Sequence, residues 1–253
     1  MKLKALLLFV FLLGAACPAW AVISFSQLDT ILVEAVSSGT SAGINTSANS
    51  LLVFNCSTWS GAPGEAITPS DSAGLTWAEN ASSPKNPTTQ TYVQQFWAIN
   101  SGGTVGHTFT ATTGGTGAYI TCFILEFTGN ATGTAIDTTA GQNEAAGGSG
   151  TTSSGATGTR SQANEVLVGV MGTGATVNVG ISAGSGFTIP FGGSQGISAD
   201  SIAAIEYQVV SSVGTDACTF GVDNTTDATS TICGTFKASA TVTLRQRRPI
   251  VMQ

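Results

Sequence analysis

The chain has 253 residues, 42% hydrophobic and only 9% charged, with a net charge of −6, 32 Gly and a single His. Its 27 Ser and 37 Thr suit strands and turns, so a helical bundle is excluded and a doubly wound α/β enzyme is not expected. One His also excludes any metal centre built from two or three imidazoles.

In chain order, Lys2 and Lys4 precede an apolar run from Ala5 to Ala16, and Ala19-Trp20-Ala21 supplies small residues at both recognition positions. This order predicts a secretory signal peptide over residues 1–21, with an apolar run too short to span a bilayer. The mature chain would then carry six Lys/Arg against fourteen Asp/Glu, a net −8. Arg245, Arg247 and Arg248 fall in a basic tail, residues 240–253, which leaves Lys85, Arg160 and Lys237 as the only cations of the body. Such a body repels phosphate backbones, so no nucleic-acid partner is expected. No later stretch is apolar for long enough to predict a membrane span.

Residues Gln27–Val36 read either as a strand or as a short helix, with Leu28, Ile31, Leu32 and Val36 on one face and Ser26 as its cap. From Leu51 onward, short runs rich in Val, Ile, Phe, Tyr and Thr alternate with Gly, Ser, Asn and Pro. The strand candidates in the first half are Leu51–Cys56, Tyr92–Ile99, Val105–Thr110 and Ala118–Phe127. Those of the second are Glu165–Met171, Thr176–Ile181, Ile202–Val210, Ala217–Phe220 and Thr229–Phe236. The nearly continuous apolar run ending at Phe127 predicts a central strand covered on both faces. Gly129–Gln162 is a Gly/Thr/Ser-rich break, within which Ala135–Thr139 reads as an edge strand.

Ala48-Asn49 before Leu52-Val53 recurs as Ala163-Asn164 before Leu167-Val168. Ser72-Ala73-Gly74 and Leu75-Thr76 echo Ser182-Ala183-Gly184 and Phe187-Thr188, and the strand ending at Phe127 echoes the one ending at Phe236. The expected architecture is therefore all-β: one antiparallel β-sandwich over residues 22–239, jelly-roll-like or immunoglobulin-like. Two related halves, about 22–129 and 163–239, would bury a common core.

Export would place Cys56, Cys122, Cys218 and Cys233 where disulfides persist. Four cysteines allow three pairings. The hairpin-like stretch Asp223–Asp227 favours a local Cys218–Cys233 bond, leaving Cys56 for Cys122, and four buried free thiols are the alternative.

The order Leu51-Leu52-Val53, Thr68–Trp77, Phe96-Trp97-Ala98 and Ile124–Gly129 resembles a β-sandwich module of large exported bacterial proteins. The resemblance spans Val22–Ala238 and implies a jelly-roll-like or immunoglobulin-like sandwich outside the cytoplasm. It carries no catalytic residues.

Few residues offer chemistry. His107, in an alternating segment with no Gly-x-Ser-x-Gly elbow in the chain, is expected on the surface and not in a triad. Glu126 and Glu206 interrupt apolar strands; each is expected on a solvent face, and as catalysts they would make the chain a glycan-active hydrolase. Asp223, Asn224 and Asp227, and separately Asp71, could contribute oxygen ligands to calcium, although Asx side chains in turns commonly bond their own backbone. Trp59 and Phe191, in turn-like contexts, are the candidates for stacking on a sugar ring with Asp71 beside them, while Trp77 and Trp97 are expected in the core. No other cofactor is expected.

The sequence thus predicts an exported, non-enzymatic β-sandwich, extracellular, cell-surface or periplasmic, for surface adhesion or recognition, with glycans or cell-surface components as partners. The alternative is a structural subunit or decoration module of a surface layer, fibre or virion. The sequence does not fix self-association.

Overall fold

The computed structural model describes residues 22–60, 65–84, 91–115, 117–144, 148–174, 180–197, 201–225 and 228–240. The expected signal peptide, nearly all of the basic tail, Asp227 and most of the Thr176–Ile181 segment lie outside these residues, as does the Asn224 side chain.

Eighteen strands and no helix make up the described residues. The first half holds β1 (Ser24–Val36), β2 (Ser38–Thr40), β3 (Ile44–Thr46), β4 (Ser50–Trp59), β5 (Ile67–Asp71), β6 (Ala78–Glu79), β7 (Thr91–Asn100), β8 (Thr104–His107), β9 (Phe109–Thr113) and β10 (Ala118–Thr128). The second holds β11 (Ile136–Glu144), β12 (Gly148–Ser153), β13 (Glu165–Thr173), β14 (Ile181–Ala183), β15 (Ser194–Ile197), β16 (Ser201–Val210), β17 (Thr219–Thr225) and β18 (Thr229–Lys237).

The two halves repeat one topology. In the first, a five-stranded sheet runs β1-β10-β4-β7-β6 and a three-stranded sheet β2-β9-β5; in the second the orders are β11-β18-β13-β16-β15 and β12-β17-β14. In sheet order the second half matches the first, and among the described strands the β3-β8 ladder is extra; at the edge, the Ala78–Trp97 pairing of β6 corresponds by register to the Thr188–Tyr207 bridge. Within each half the first strand lies beside the last, which is jelly-roll order; an immunoglobulin sheet would pair the first strand with the second. Asn49 and Asn164, 115 positions apart, both turn at φ 59°. Leu51 faces Phe127 and Val166 faces Phe236 in matching register. The turn glycines that correspond are Gly74 and Gly186, both at positive φ, so the Ser-Ala-Gly echo is displaced by two residues from the match read in sequence.

The sheets stack in four layers. The five-stranded sheets meet face to face, β4 on β13, β7 on β18, β10 on β16 and β1 on β15, a pairing that exchanges the halves about a pseudo-twofold axis. Between them lies the largest core, including Leu51, Val53, Phe123, Leu125 and Phe127 from one half and Val166, Val168, Ile205, Ile232 and Phe236 from the other. Each small sheet covers the outer face of its own large sheet. Phe54, Phe109, Ile120 and Ile124 fill the outer layer of the first half, and Met171, Ala204 and Phe220 that of the second. A fully buried side chain of this size contributes about 1.5–3 kcal/mol, so strands buried on both faces dominate the stability. In β10, Phe123, Leu125 and Phe127 point inward and Cys122, Ile120 and Ile124 outward, which explains its unbroken apolar run.

Gln27–Val36 is strand, not helix: β1 pairs with β10 along its length, and bulges at Phe25/Gln27 and Val33/Val36 break the period-two pattern. Val105–Thr110 is two strands parted at Thr108, and the 129–162 break contains β11 and β12. Two disulfides lie on the outer faces of the large sheets. Cys56–Cys122 links directly opposed residues of β4 and β10, and Cys218–Cys233 joins the approach to β17 with β18. Cys218 lies over Gly169, where a side-chain carbon would stand 2.6 Å from its Cβ.

Candidate functional site

Phe191 is the one aromatic side chain among the described residues that stands free. In the turn Pro190-Phe191-Gly192-Gly193 it is 102% exposed, while Pro190 beneath it is buried. The turn is fixed by the Gly193 N–H donating to the Pro190 carbonyl (2.8 Å) and by Gly192 at φ 79°. A flat apolar ring is thereby held in solvent on a rigid base.

Trp59 differs. It ends β4 with its ring 5.4 Å from that of Tyr119, and its indole abuts Gly174, where an added Cβ would meet Cδ1 at 2.6 Å. It is partly buried and held between these neighbours, not free in solvent. Trp77 and Trp97 pack against the outer and central cores.

Asp71 does not belong to a ligand face. Its side chain is fully buried and accepts from the Ala73 N–H (2.8 Å), the Leu75 N–H, the Trp77 indole (2.7 Å) and His107 Nε2 (2.9 Å). Burial alone would raise its pKa, but the bonds from His107, Trp77, Leu75 and Ala73 outweigh it and hold the carboxyl below its ordinary value. His107 is correspondingly buried and not on the surface. It stacks 4.3 Å from Phe109, with Nδ1 2.9 Å from the Thr46 hydroxyl, to which Asn100 Nδ2 donates (2.8 Å). Asp71 is an acceptor only, so it fixes the ring proton on Nε2. The chain Asp71–His107–Thr46–Asn100 staples the extra β3-β8 ladder to β5 and β7.

Asp223 is exposed on β17 with its N–H bonded to the Gly180 carbonyl. Among the described residues no three His, Cys, Asp or Glu side chains gather as metal ligands.

Glu126 and Glu206 are fully buried, not solvent-facing. Glu126 accepts from the Ser47 N–H (2.6 Å) and Gln27 Nε2 (2.5 Å). Glu206 accepts from the N–H groups of Gly184 (2.8 Å) and Thr219 (3.0 Å). Burial pushes Glu206 up to about 7, against the pull of those two donors. Each lies on the outer face of its own large sheet with the central core between them, so the two cannot flank one glycosidic bond.

A charged cluster not foreseen in sequence lies at one end of the second half. Glu165, the first residue of β13, is fully buried with no hydrogen bond of ordinary geometry to either oxygen. Burial, and then the neighbouring Asp137, push it up to about 7, against Thr235 and Arg160. Asp137 Oδ2 accepts the Ser161 N–H (2.5 Å) and Oδ1 the Ser161 hydroxyl (2.7 Å). Burial would raise Asp137 too, but Ser161, Glu165 and Lys237 together hold it below its ordinary value. Lys237 Nζ stands 4.0 Å from Asp137 Oδ1, and Arg160 pairs with Asp216 and donates to the Ser212 carbonyl (2.7 Å). Two of the body's three cations meet three of its acids here. Strand register brings Asp137, Glu165 and Lys237 together, and the connections before β13 and β17 add Arg160 and Asp216.

No protein-family model matches the chain, nor does any curated protein or any solved structure. The two disulfides, together with the absence of any helix among the described residues long and apolar enough to cross a membrane, are compatible with an exported protein.

Proposed function

We propose that this chain is an exported, non-enzymatic β-sandwich of surface adhesion or extracellular recognition that binds glycans, with Phe191 as its stacking residue. The observation that carries this reading is a fully exposed aromatic on a braced turn, where the other large aromatics among the described residues are buried wholly or in part. Sugar rings present flat C–H faces that stack on such a ring, and loops on a rigid scaffold commonly carry contacts. A glycan array probed with the wild type and with Phe191→Ala tests it. The variant should keep its fold and lose about tenfold in affinity, roughly 1.4 kcal/mol. Trp59→Ala should act through stability instead. A blank array for the wild type would sink the reading.

The duplicated jelly-roll order favours a second reading, a structural subunit of a surface layer, fibre or virion, since such rolls build capsids as well as lectins. Mass photometry separates the two: a strict monomer argues against the subunit.

A further inference from the structure

The charged cluster brings an amine, a carboxyl group and a second, buried acid together across three neighbouring strands. Lys237 ends β18, the last strand of the second half, and Asp137 lies in β11, the first, with Nζ and Oδ1 4.0 Å apart. Asp137 occupies the irregularity between Ile136 and Thr139, the kind of bulge that re-aims a side chain. On the other side of β18, Glu165 of β13 is the direct cross-strand partner of Lys237, buried beside Asp137 and Thr235, with no hydrogen bond of ordinary geometry to either oxygen.

The first half supplies an internal control. By register, Thr128 stands where Lys237 does and Ser50 where Glu165 does, and Ser26 fills the corresponding bulge after Phe25. All three are hydroxyl residues. The second half therefore carries three ionisable side chains where its twin carries none, in a body with only three cations. A lone surface ion pair would need neither the burial nor the second acid.

We propose that the Lys237 amine and the Asp137 carboxyl condense to an intramolecular amide that ties the first strand of the second half to the last, with Glu165 carrying the protons. Glu165 takes a proton from the Lys237 ammonium and passes it to the Asp137 carboxylate. The freed nitrogen lone pair attacks Asp137 Cγ, and the Nζ–Cγ bond forms. The carbonyl electron pair moves onto the oxygen, where a Ser161 donor already stands, in the manner of an oxyanion hole. Glu165 then moves a second proton from nitrogen to the departing hydroxyl, the Cγ–O bond breaks and water leaves. Of the three ammonium protons, one stays on the amide nitrogen and two leave in the water, so nothing is oxidised or reduced and no co-reactant is needed. Two features drive the reaction. The reacting atoms are held together by the sheet, and a poorly solvated ion pair gives way to a neutral amide.

Tryptic mapping of the folded, exported chain after reduction and alkylation tests this. Trypsin can cut the mature body only after Lys85, Arg160, Lys237 and the arginines of the tail. With the amide in place, Lys237 resists cleavage. Peptides 86–160 and 161–245 emerge joined, lighter than their sum by one water, with fragments placing the link at Asp137 and Lys237. Glu165→Gln and Lys237→Arg should give the two peptides separately and at full mass. A wild-type chain with both disulfides formed that yields unlinked peptides 86–160 and 161–237 overturns the proposal, as does a water loss mapped to any other residue. The wild-type map decides the matter even where a variant does not fold.

Discussion

The Asp71 carboxylate receives four donors: the Ala73 and Leu75 N–H groups, the Trp77 indole and the ring of His107. Two lie within its own turn, and the imidazole comes from 36 positions away. Removing the carboxylate leaves a buried imidazole N–H and a partly buried indole N–H without their acceptor, an unfavourable state. Asp71→Ala should therefore lower the unfolding free energy by about 2–3 kcal/mol, read as a shifted urea midpoint at unchanged slope. Asp71→Asn should recover little of it, since its amide would set a donor against donors. An Asp71→Ala protein of full stability but impaired glycan binding would return Asp71 to the ligand face. The sequence points to the turn, and its expectation that an Asx side chain there bonds its own backbone agrees with the Ala73 and Leu75 N–H bonds; the Trp77 and His107 donors are not legible because only the fold brings them to the carboxylate.

At the scale of elements, small residues on one large sheet make room for side chains of the other. A Cβ on Gly172 of β13 would meet Ser57 Oγ of β4 at 2.0 Å and Val93 Cγ2 of β7 at 2.9 Å. Gly234 similarly admits Gln95, whose amide donates to Asn55 (2.8 Å) and across the interface to the Val168 carbonyl (3.1 Å). Gly172→Ala should thus cost about 1–3 kcal/mol by overpacking. Adding Ser57→Gly should restore part of it, a coupling that a double-mutant cycle measures and that would vanish if the halves did not meet here. The long strands β4, β7, β10, β13, β16 and β18 are legible in sequence because burial on both faces demands runs of Val, Ile, Leu and Phe. The short strands β2, β3, β5, β6, β14 and β15 are not. They are mostly Ser, Thr, Gly and Ala, which carry no periodicity and serve turns equally well. The same limit hides the charged cluster: Asp137, Glu165 and Lys237 are remote in sequence and meet only once β11, β18 and β13 are in register. The duplication is legible because its marks are turn and core residues, the Asn49/Asn164 pair above all.

For the whole molecule, buried carboxyls set the pH dependence of folding. Glu206 rises to about 7 from an ordinary value of 4.5, so the folded chain holds a proton that the unfolded chain releases. Glu165 acts with the same sign. Both contributions are fully present below about pH 4.5 and are lost as pH climbs through 7. Asp71 and Asp137, held below their ordinary value of 3.8, contribute the reverse: stability present above that value and lost as the solution becomes more acid. The excess of acids over bases adds self-repulsion that grows as the carboxyls ionise. These terms place the stability maximum near pH 4–5, with a decline toward neutrality on the order of 2–4 kcal/mol. Urea midpoints at pH 4.5, 6 and 7.5 check this, and a profile that is flat or rises over that window contradicts it. Glu206 lies outside the Asp137–Lys237 cluster, so Glu206→Gln should flatten the decline whether or not the amide has formed. Losing the slope in Glu165→Gln alone would instead assign the whole effect to the cluster.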